Sequence, residues 1–505
     1  MSFPLRRAAP LLGGALLALA GCGWHGAELP ARPPASLLPA GSPLLVHHLP
    51  DRDAWLRHYL SASAPDSAAG LLEGRVPGDA LLLDLHRGLV LRQAGQFRDS
   101  NRVLERAESL AERRISRSLT RTAGALLVSD RVLDYEPTAT ERLMIPFYRM
   151  LNQLDLGDVE AAVVEARRGA ALADLLAEEG GICQQDAVVT LVGSHVFELG
   201  GEHDDAEVAR RRAGRIDAEC GDGSLAALVK EADGADEAEQ GGEIVVLLEE
   251  GFVAHRVSRS IQVPIWPEEV ETLRTDGAAG VAGVSALVAA RMLGVVAERG
   301  TFGWALDDMP RVQWQNLAEG AQLVRISWPA SALAASRPAS VTLRAGDAGR
   351  GAQLHTSLSA RAVADLESAR AAVTARAVGR AIARTFLVRE VERRVEKEHG
   401  RRAARFAGLL TNVTANALDE PDTRTWTLLP DRLSLVRIPV PAGSHAVTGE
   451  LAGPAGDLRT VDLGTVEVGA GERHLLMARV WGSHAGDENP LLRARQAVWE
   501  RLATD

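Results

Sequence analysis

The chain of 505 residues has few aromatic residues, few cysteines and no surplus of positive charge. Aromatic residues make up 4% of it, which favours helix-rich packing over an aromatic-rich β-sandwich. Three cysteines are too few for a disulfide scaffold. A formal net charge of −11 argues against a nucleic-acid-binding protein, because such proteins need a basic face. The hydrophobic content of 46% is sufficient for the cores of two or three domains.

Common catalytic and cofactor-binding motifs are also missing. The sequence has no HExxH, GxSxG or CxxC motif, so no catalytic residue is predicted. The glycines of 277–296 lack the GxGxxG order and a Walker lysine, so we expect no nucleotide. The acidic-histidine run 202–205 falls at a predicted helical turn, where polar residues are common, so we expect no metal. No cofactor is therefore expected.

Residues 1–21 have the pattern of a secretory leader. Two arginines precede a short apolar run that is too small to span a bilayer. The run ends in Leu-Ala-Gly followed by Cys22, which resembles the lipobox of bacterial lipoproteins. The resemblance implies cleavage before Cys22, a diacylglycerol thioether on its sulfur and acylation of the new amine. The alternative is an ordinary signal peptide that contains a cysteine.

The residues after Cys22 bear on localisation. Gly23 replaces the Asp that commonly retains Gram-negative lipoproteins in the inner membrane, which favours the outer membrane. Residues 22–45 form a Pro-rich tether with five prolines. If it is extended, about twenty residues reach on the order of 60 Å. We therefore expect a folded part that stands away from the outer membrane and faces the periplasm.

Residues 46–220 are predicted to form a helical domain of hairpins similar to tetratricopeptide repeats (TPRs). The first hairpin has small, large, turn and aromatic residues at the expected positions: Gly88, Leu91, Gly95, Phe97, Ser100, Leu104 and Ala107. Two more hairpins follow, with turns at Gly157 and Gly201. The turn spacing is irregular, so two interpretations stay open: a solenoid with a concave protein-binding face, or a helical bundle without a groove.

The remaining two cysteines flank the third hairpin. Cys183 precedes its first helix and Cys220 follows its second. Because an antiparallel hairpin brings its outer ends together, we predict a disulfide in an oxidising periplasm. Two unpaired thiols are the alternative.

An acidic, Gly-rich linker at 221–242 separates the helices from a mixed C-terminal domain at 243–505. Strands are predicted around 243–266, 322–329, 339–346, 433–451 and 458–481, with a long helical segment over 358–418. The fold class is therefore α+β. The stretch 277–296 is interpreted as a buried or partner-facing helix, with contact at a membrane surface as the alternative.

Three stretches, 148–168, 247–265 and 419–445, together resemble a family of bacterial TPR-containing outer-membrane lipoproteins. The resemblance implies a helical-repeat front and a β-containing rear, and it supplies no catalytic residue. Residues 267–320 depart from the family pattern. Within 419–445, Arg424 and Trp426 are candidate partner-binding anchors. The alternative is a structural role, with Asp422 paired to Arg424 and Trp426 in the core.

The leading hypothesis is a non-enzymatic, lipid-anchored periplasmic adaptor. It would bind an envelope protein through the helical repeats, in envelope assembly or in regulation of a cell-wall enzyme. Two alternatives remain: a hydrolase of envelope glycans or peptides, and a structural subunit of an outer-membrane complex. A hydrolase would need two carboxylates or a Ser/His pair converging in one pocket.

Overall fold

A computed structural model shows a mixed fold in which helices are followed by sheets, which confirms the α+β class. It describes residues 29–31, 33, 44, 46, 49–73, 78–118, 134–221, 223, 225, 241–276, 279–289, 322–333, 337–351, 354–400, 420–453 and 458–481. Within these ranges, the helices are either too short or too polar to cross a membrane.

Three helical hairpins follow two short helices, α1 (Asp51–Ser61) and α2 (Pro65–Gly70). They are α3/α4 (Ala80–Gln93, Phe97–Ser118), α5/α6 (Ala139–Asp155, Val159–Gly180) and α7/α8 (Ala187–Leu199, His203–Cys220). A 3₁₀ turn at Ile182–Gln184 links the last two hairpins. In each hairpin the first helix is largely buried, and we call α3, α5 and α7 the inner helices. The second helices, α4, α6 and α8, keep one exposed face and are the outer helices.

The three hairpins turn in the same way. Gly95, Gly157 and Gly201 have φ values of 74°, 76° and 74°, in the left-handed region that favours glycine. The amide of the residue after each glycine donates to the carbonyl five residues earlier, as in Gln96 to Leu91 at 2.9 Å. Small residues also allow close packing, since a Cβ on Gly88 would lie 2.4 Å from a methyl group of the α4 leucine that faces it.

The described strands form two four-stranded sheets and one ribbon. Their bounds are β1 Gly241–Glu250, β2 His255–Ile265, β3 Gln322–Ala332, β4 Ser340–Ala345, β5 Ala348–Gly351, β6 Leu354–Ser357, β7 Arg432–Pro441, β8 Gly443–Ala452, β9 Leu458–Val468 and β10 Arg473–Val480. The central sheet has the order β10-β1-β7-β6, in which only the β10–β1 pair is parallel. The outer sheet is antiparallel, in the order β5-β4-β8-β9, and β2 and β3 form the antiparallel ribbon.

The central sheet is covered on both faces, which explains the continuous apolar run of β1. Ile244, Val246 and Leu248 face the outer sheet and share a core with it. Val245 and Leu247 face the opposite way and belong to a core that includes residues of all three inner helices. The layers are therefore helices, central sheet and outer sheet. The segments assigned by sequence to separate domains share one hydrophobic core.

The ribbon packs against the remaining helices. These are α9 (Pro267–Thr275), a helix over 279–289, α10 (Leu358–Ser368) and α11 (Arg370–His399). The long helix predicted over 358–418 is interrupted at Ala369, and α11 ends before Gly400, which has φ +81°. Ile326 and Trp328 of the ribbon pack on Ala377 and Ile382 of α11. A third hydrophobic core therefore lies beside the main body.

Candidate functional site

The inner helices, whose face would form the groove of a repeat array, pack against the central sheet. The guanidinium of Arg92 on α3 lies 3.7 Å from the sulfur of Met477 on β10. The hydroxyl of Tyr148 on α5 lies 3.5 Å from a carboxylate oxygen of Glu249 on β1 and donates to it. Among the described residues, the face of the inner helices that would line the groove of a solenoid is therefore covered by the chain's own strands.

Buried arginines hold this helix–sheet junction together. Arg57 on α1 donates to the backbone carbonyls of Val253 and Thr427 at 2.8 and 2.9 Å. Arg479 on β10 donates to the carbonyl of Leu428 at 2.6 Å, and both guanidinium groups lie over the ring of Phe252. Burial lowers the pKa of Arg57 to about 9; the positive charge of Arg479 contributes to this shift, and the negative charge of Asp53 opposes it. These arginines therefore have structural partners.

A second charged cluster links α7 to the edge of the central sheet. Glu198 accepts from Arg473 of β10 at 2.5 Å and pairs with Arg210 at 3.3 Å. Interaction with His195, followed by the charges of Arg473 and Arg210, lowers the pKa of Glu198 to about 2. The pKa of His195 is itself lowered by burial. The cluster thus stabilises the contact between the third hairpin and the sheet.

The candidate anchors Arg424 and Trp426 both face the protein interior. Trp426 is 0% exposed, and its backbone amide donates to a carboxylate oxygen of Glu141 at 2.7 Å. Arg424 donates to Asp422 through Nε at 2.8 Å and lies over the ring of Tyr135. Trp426 as a partner-binding anchor is therefore wrong, because its ring is packed inside the core. The structural alternative accounts for both residues.

A small pocket with mainly apolar walls lies beside this loop and has a cavity volume of about 10 Å³. It is lined by Thr138, Thr140, Glu141, Val253, Ala254, His255, Arg256, Ser331, Ala362, Thr425 and Leu429. Glu141 is the one carboxylate among the described residues of its lining, and the two oxygens of Glu141 accept the amides of Thr138 and Trp426 at 2.8 and 2.7 Å. Glu141 therefore caps α5 and anchors the loop, roles that sequence reasoning missed although Thr138 and Glu141 have capping-box spacing.

A disulfide joins Cys183 and Cys220, whose Cα atoms are 5.5 Å apart. The pair closes the outer ends of the third hairpin, as predicted. Arg361 of α10 lies against the same turn and donates to the carbonyl of Gln184 at 2.7 Å and to those of its two neighbours. Sequence reasoning missed this contact, because nothing near Arg361 in the chain marks it as a partner of a turn about 180 residues away.

The acidic-histidine run 202–205 lies at the start of α8. Arg167 of α6 pairs with Glu202 at 2.9 Å and with Asp205 at 3.0 Å, so these carboxylates join two outer helices. Among the residues that the structure describes, no group of three or more His, Cys, Asp or Glu side chains is placed to hold a metal.

The outer helices carry three exposed aliphatic side chains on two neighbouring helices. Val164 and Leu175 of α6 are 54% and 45% exposed, and Val208 of α8 is 57% exposed. Ion pairs of Arg167 with Asp205 and of Arg212 with Asp174 join α6 and α8. They align the helices so that, along their axes, Val208 lies between Val164 and Leu175. The valine and leucine of α6 are eleven residues apart, which corresponds to about 16 Å along the helix. We call Val164, Leu175 and Val208 the outer patch.

Part of the stretch 277–296 is described, as a helix over 279–289. Val284 and Val288 are buried in the core of the ribbon, and Leu287 is exposed. This part of the stretch is a packed helix. Residues 290–296 lie outside the described residues, as do Cys22, the leader 1–21, most of 22–45 and most of the predicted linker 221–242.

Comparison with known proteins identifies no relative. No family model matches the chain, and no match is found among curated proteins or solved structures. The resemblance to TPR-containing lipoproteins therefore stays a prediction.

Proposed function

We propose that the protein is a non-enzymatic adaptor, anchored to the outer membrane by lipid on Cys22, that binds an envelope protein in the periplasm. The partner is an envelope protein, as expected from the sequence, but the binding surface is the outer helices instead of a concave face of the inner helices. Because the inner helices are covered by the central sheet, a partner has access to the outer helices. It would act in envelope assembly or in regulation of a cell-wall enzyme.

The single observation that carries this proposal is the outer patch. Isolated exposed aliphatic residues are common on protein surfaces, whereas neighbouring ones on a rigid surface are typical of binding sites. Here three branched aliphatic side chains, each at least 45% exposed, lie on two helices that ion pairs hold side by side. A partner would cover them without any rearrangement of the hairpins.

Site-specific crosslinking in cells tests the proposal. A photoreactive amino acid at Leu175 or Val208 should crosslink one envelope protein. The same amino acid at Leu458, an exposed leucine on β9, is the matched control. Leu175→Glu should abolish the crosslink from position 208, whereas Leu458→Glu should leave it unchanged. Identical products from positions 175 and 458 would contradict the use of the outer patch.

The lipid anchor needs its own measurement. The mature N-terminal peptide should carry three acyl chains in mass spectrometry, and Cys22→Ser should release the protein into the soluble periplasmic fraction. A soluble, unacylated wild-type protein would contradict the lipid anchor on Cys22. The crosslinking experiment would still test whether the outer patch binds a partner.

A further inference from the structure

The segment between Cys22 and α1 contacts α1 about twenty residues before that helix begins in the chain. The carbonyl of Pro30 accepts a hydrogen bond from the indole nitrogen of Trp55 at 3.0 Å. Pro33 is half-buried, and Leu44 is 3% exposed within the main core. The tether expected at 22–45 is therefore held against the body from Pro30 onward at the positions that the structure describes.

This contact limits the distance between the membrane and the body. Pro30 is eight positions after Cys22 in the chain. A fully extended chain covers at most about 3.3–3.6 Å per residue, so these two Cα atoms are no more than about 29 Å apart. The reach of about 60 Å expected for a free tether is thus roughly halved.

The position of α1 decides which end of the body lies near the membrane. Arg57 of α1 binds the carbonyls of Val253 and Thr427, which lie just beyond the end of β1 and before the start of β7. The opposite end of the central sheet is the Gly241–Pro441 pair. Since β1 has ten residues, the two ends are about 30 Å apart.

We infer that the α1 end of the protein lies against the bilayer leaflet that holds the lipid of Cys22, and that the Gly241–Pro441 end points into the periplasm. The inference rests on the proposed anchor at Cys22 and adds a fixed orientation to it. The membrane therefore blocks the α1 end to protein partners. Among the described residues, the start of β8 and the turn between β9 and β10 lie at the Gly241–Pro441 end of the sheet, away from α1.

Energy transfer from the protein to acceptor lipids tests this orientation. The full lipidated protein is reconstituted in vesicles, with a donor dye on Ser67→Cys beside α1 or on Ser444→Cys at the start of β8. Both serines are exposed, and the native cysteines other than Cys22 are joined in the disulfide. We expect transfer from position 67 to be several-fold more efficient than transfer from position 444.

Two further variants keep the result interpretable. Insertion of twenty Gly/Ser residues between Gly26 and Ala27 adds about 25 Å of root-mean-square length and should bring the two efficiencies together. Trp55→Phe removes the donor to Pro30, keeps an aromatic ring and should lower transfer from position 67. Equal transfer from both positions without the insertion, in protein that floats with vesicles, would overturn the orientation. Wild-type protein that fails to float, like Cys22→Ser, would instead overturn the anchor.

Discussion

The buried ion pair at Arg92 offers the sharpest test of the junction between the helices and the central sheet. Its guanidinium donates to Asp155 at 2.6 Å and to the side-chain oxygen of Asn152 at 2.7 Å. The side chains of Arg92 and Asp155 are 0% and 1% exposed. Arg92→Met keeps an unbranched apolar side chain but removes the charge, which leaves Asp155 buried without its cation.

The expected loss follows from the removal of one partner of this buried ion pair. Removal of one partner of a buried ion pair typically costs about 3–5 kcal/mol, whereas replacement of both partners by apolar residues is often close to neutral. We therefore expect Arg92→Met to lower the free energy of unfolding by about 3–5 kcal/mol. The double variant Arg92→Met/Asp155→Leu should recover at least half of that loss, although Asn152 still lacks its donor.

Chemical denaturation of the soluble Cys22→Ser chain, followed by far-ultraviolet circular dichroism, measures the free energy of unfolding. Arg102→Met is the matched control, because the Arg102 side chain is 78% exposed and its loss should cost under about 0.5 kcal/mol. Hydrogen exchange over β1 should accelerate together with exchange over α5, since they share one core. A loss below 1 kcal/mol, or faster exchange in α5 alone, would refute this reasoning.

Three further predictions concern stability. Gly88→Ala should lower the free energy of unfolding by about 1–2 kcal/mol, because the added methyl group overpacks the hairpin. Gly214→Ala in α8, where the surrounding space is open, should raise the free energy of unfolding by about 0.5–1 kcal/mol, and thermal unfolding of the two variants measures both changes. Cys183→Ser/Cys220→Ser should cost about 3–4 kcal/mol in denaturation, and denatured, unreduced wild-type protein should show neither thiol. The pKa of Glu198 is lower in the folded than in the unfolded protein, so its ionised form stabilises the fold by about 1–2 kcal/mol above pH 5, and this stabilisation is lost as the pH falls towards 2. In pH-dependent denaturation, Glu198→Gln should therefore reduce the change in the free energy of unfolding between pH 5 and pH 2.

Local features of the hairpins could be predicted from sequence because neighbouring residues determine them. The turn glycines Gly95, Gly157 and Gly201 need a left-handed backbone, and each turn has it. The Cys183–Cys220 pair follows from the same hairpin geometry: α7 has 13 residues and α8 has 18, and Cys183 lies in the 3₁₀ turn that precedes the shorter helix. The strand after the linker was recognisable from an apolar run that fits a sheet covered on both faces.

Candidate binding residues were harder to predict because exposure depends on distant parts of the chain. Trp426 follows a polar loop, and in sequence a core tryptophan and a surface anchor look alike. Its burial results from contact with α5, about 280 residues earlier in the chain. The outer patch is the opposite case, in which apolar residues are exposed. In sequence, Val164, Leu175 and Val208 look like core residues of amphipathic helices, and only the arrangement of the hairpins shows that they face solvent.

By itself, the sequence determined the helical hairpins, their turns, the disulfide and most of the strands, because each depends on residue types at short, regular spacing. The tertiary structure alone decided that β1 pairs in parallel with β10, more than 200 residues away, and that the resulting sheet covers the inner helices. It also decided that Trp55 of α1 binds Pro30, a residue early in the predicted tether. These outcomes depend on which apolar faces pack together. Because the hydrophobic effect has no direction, the sequence alone does not distinguish among several equally apolar faces that could pack with each other.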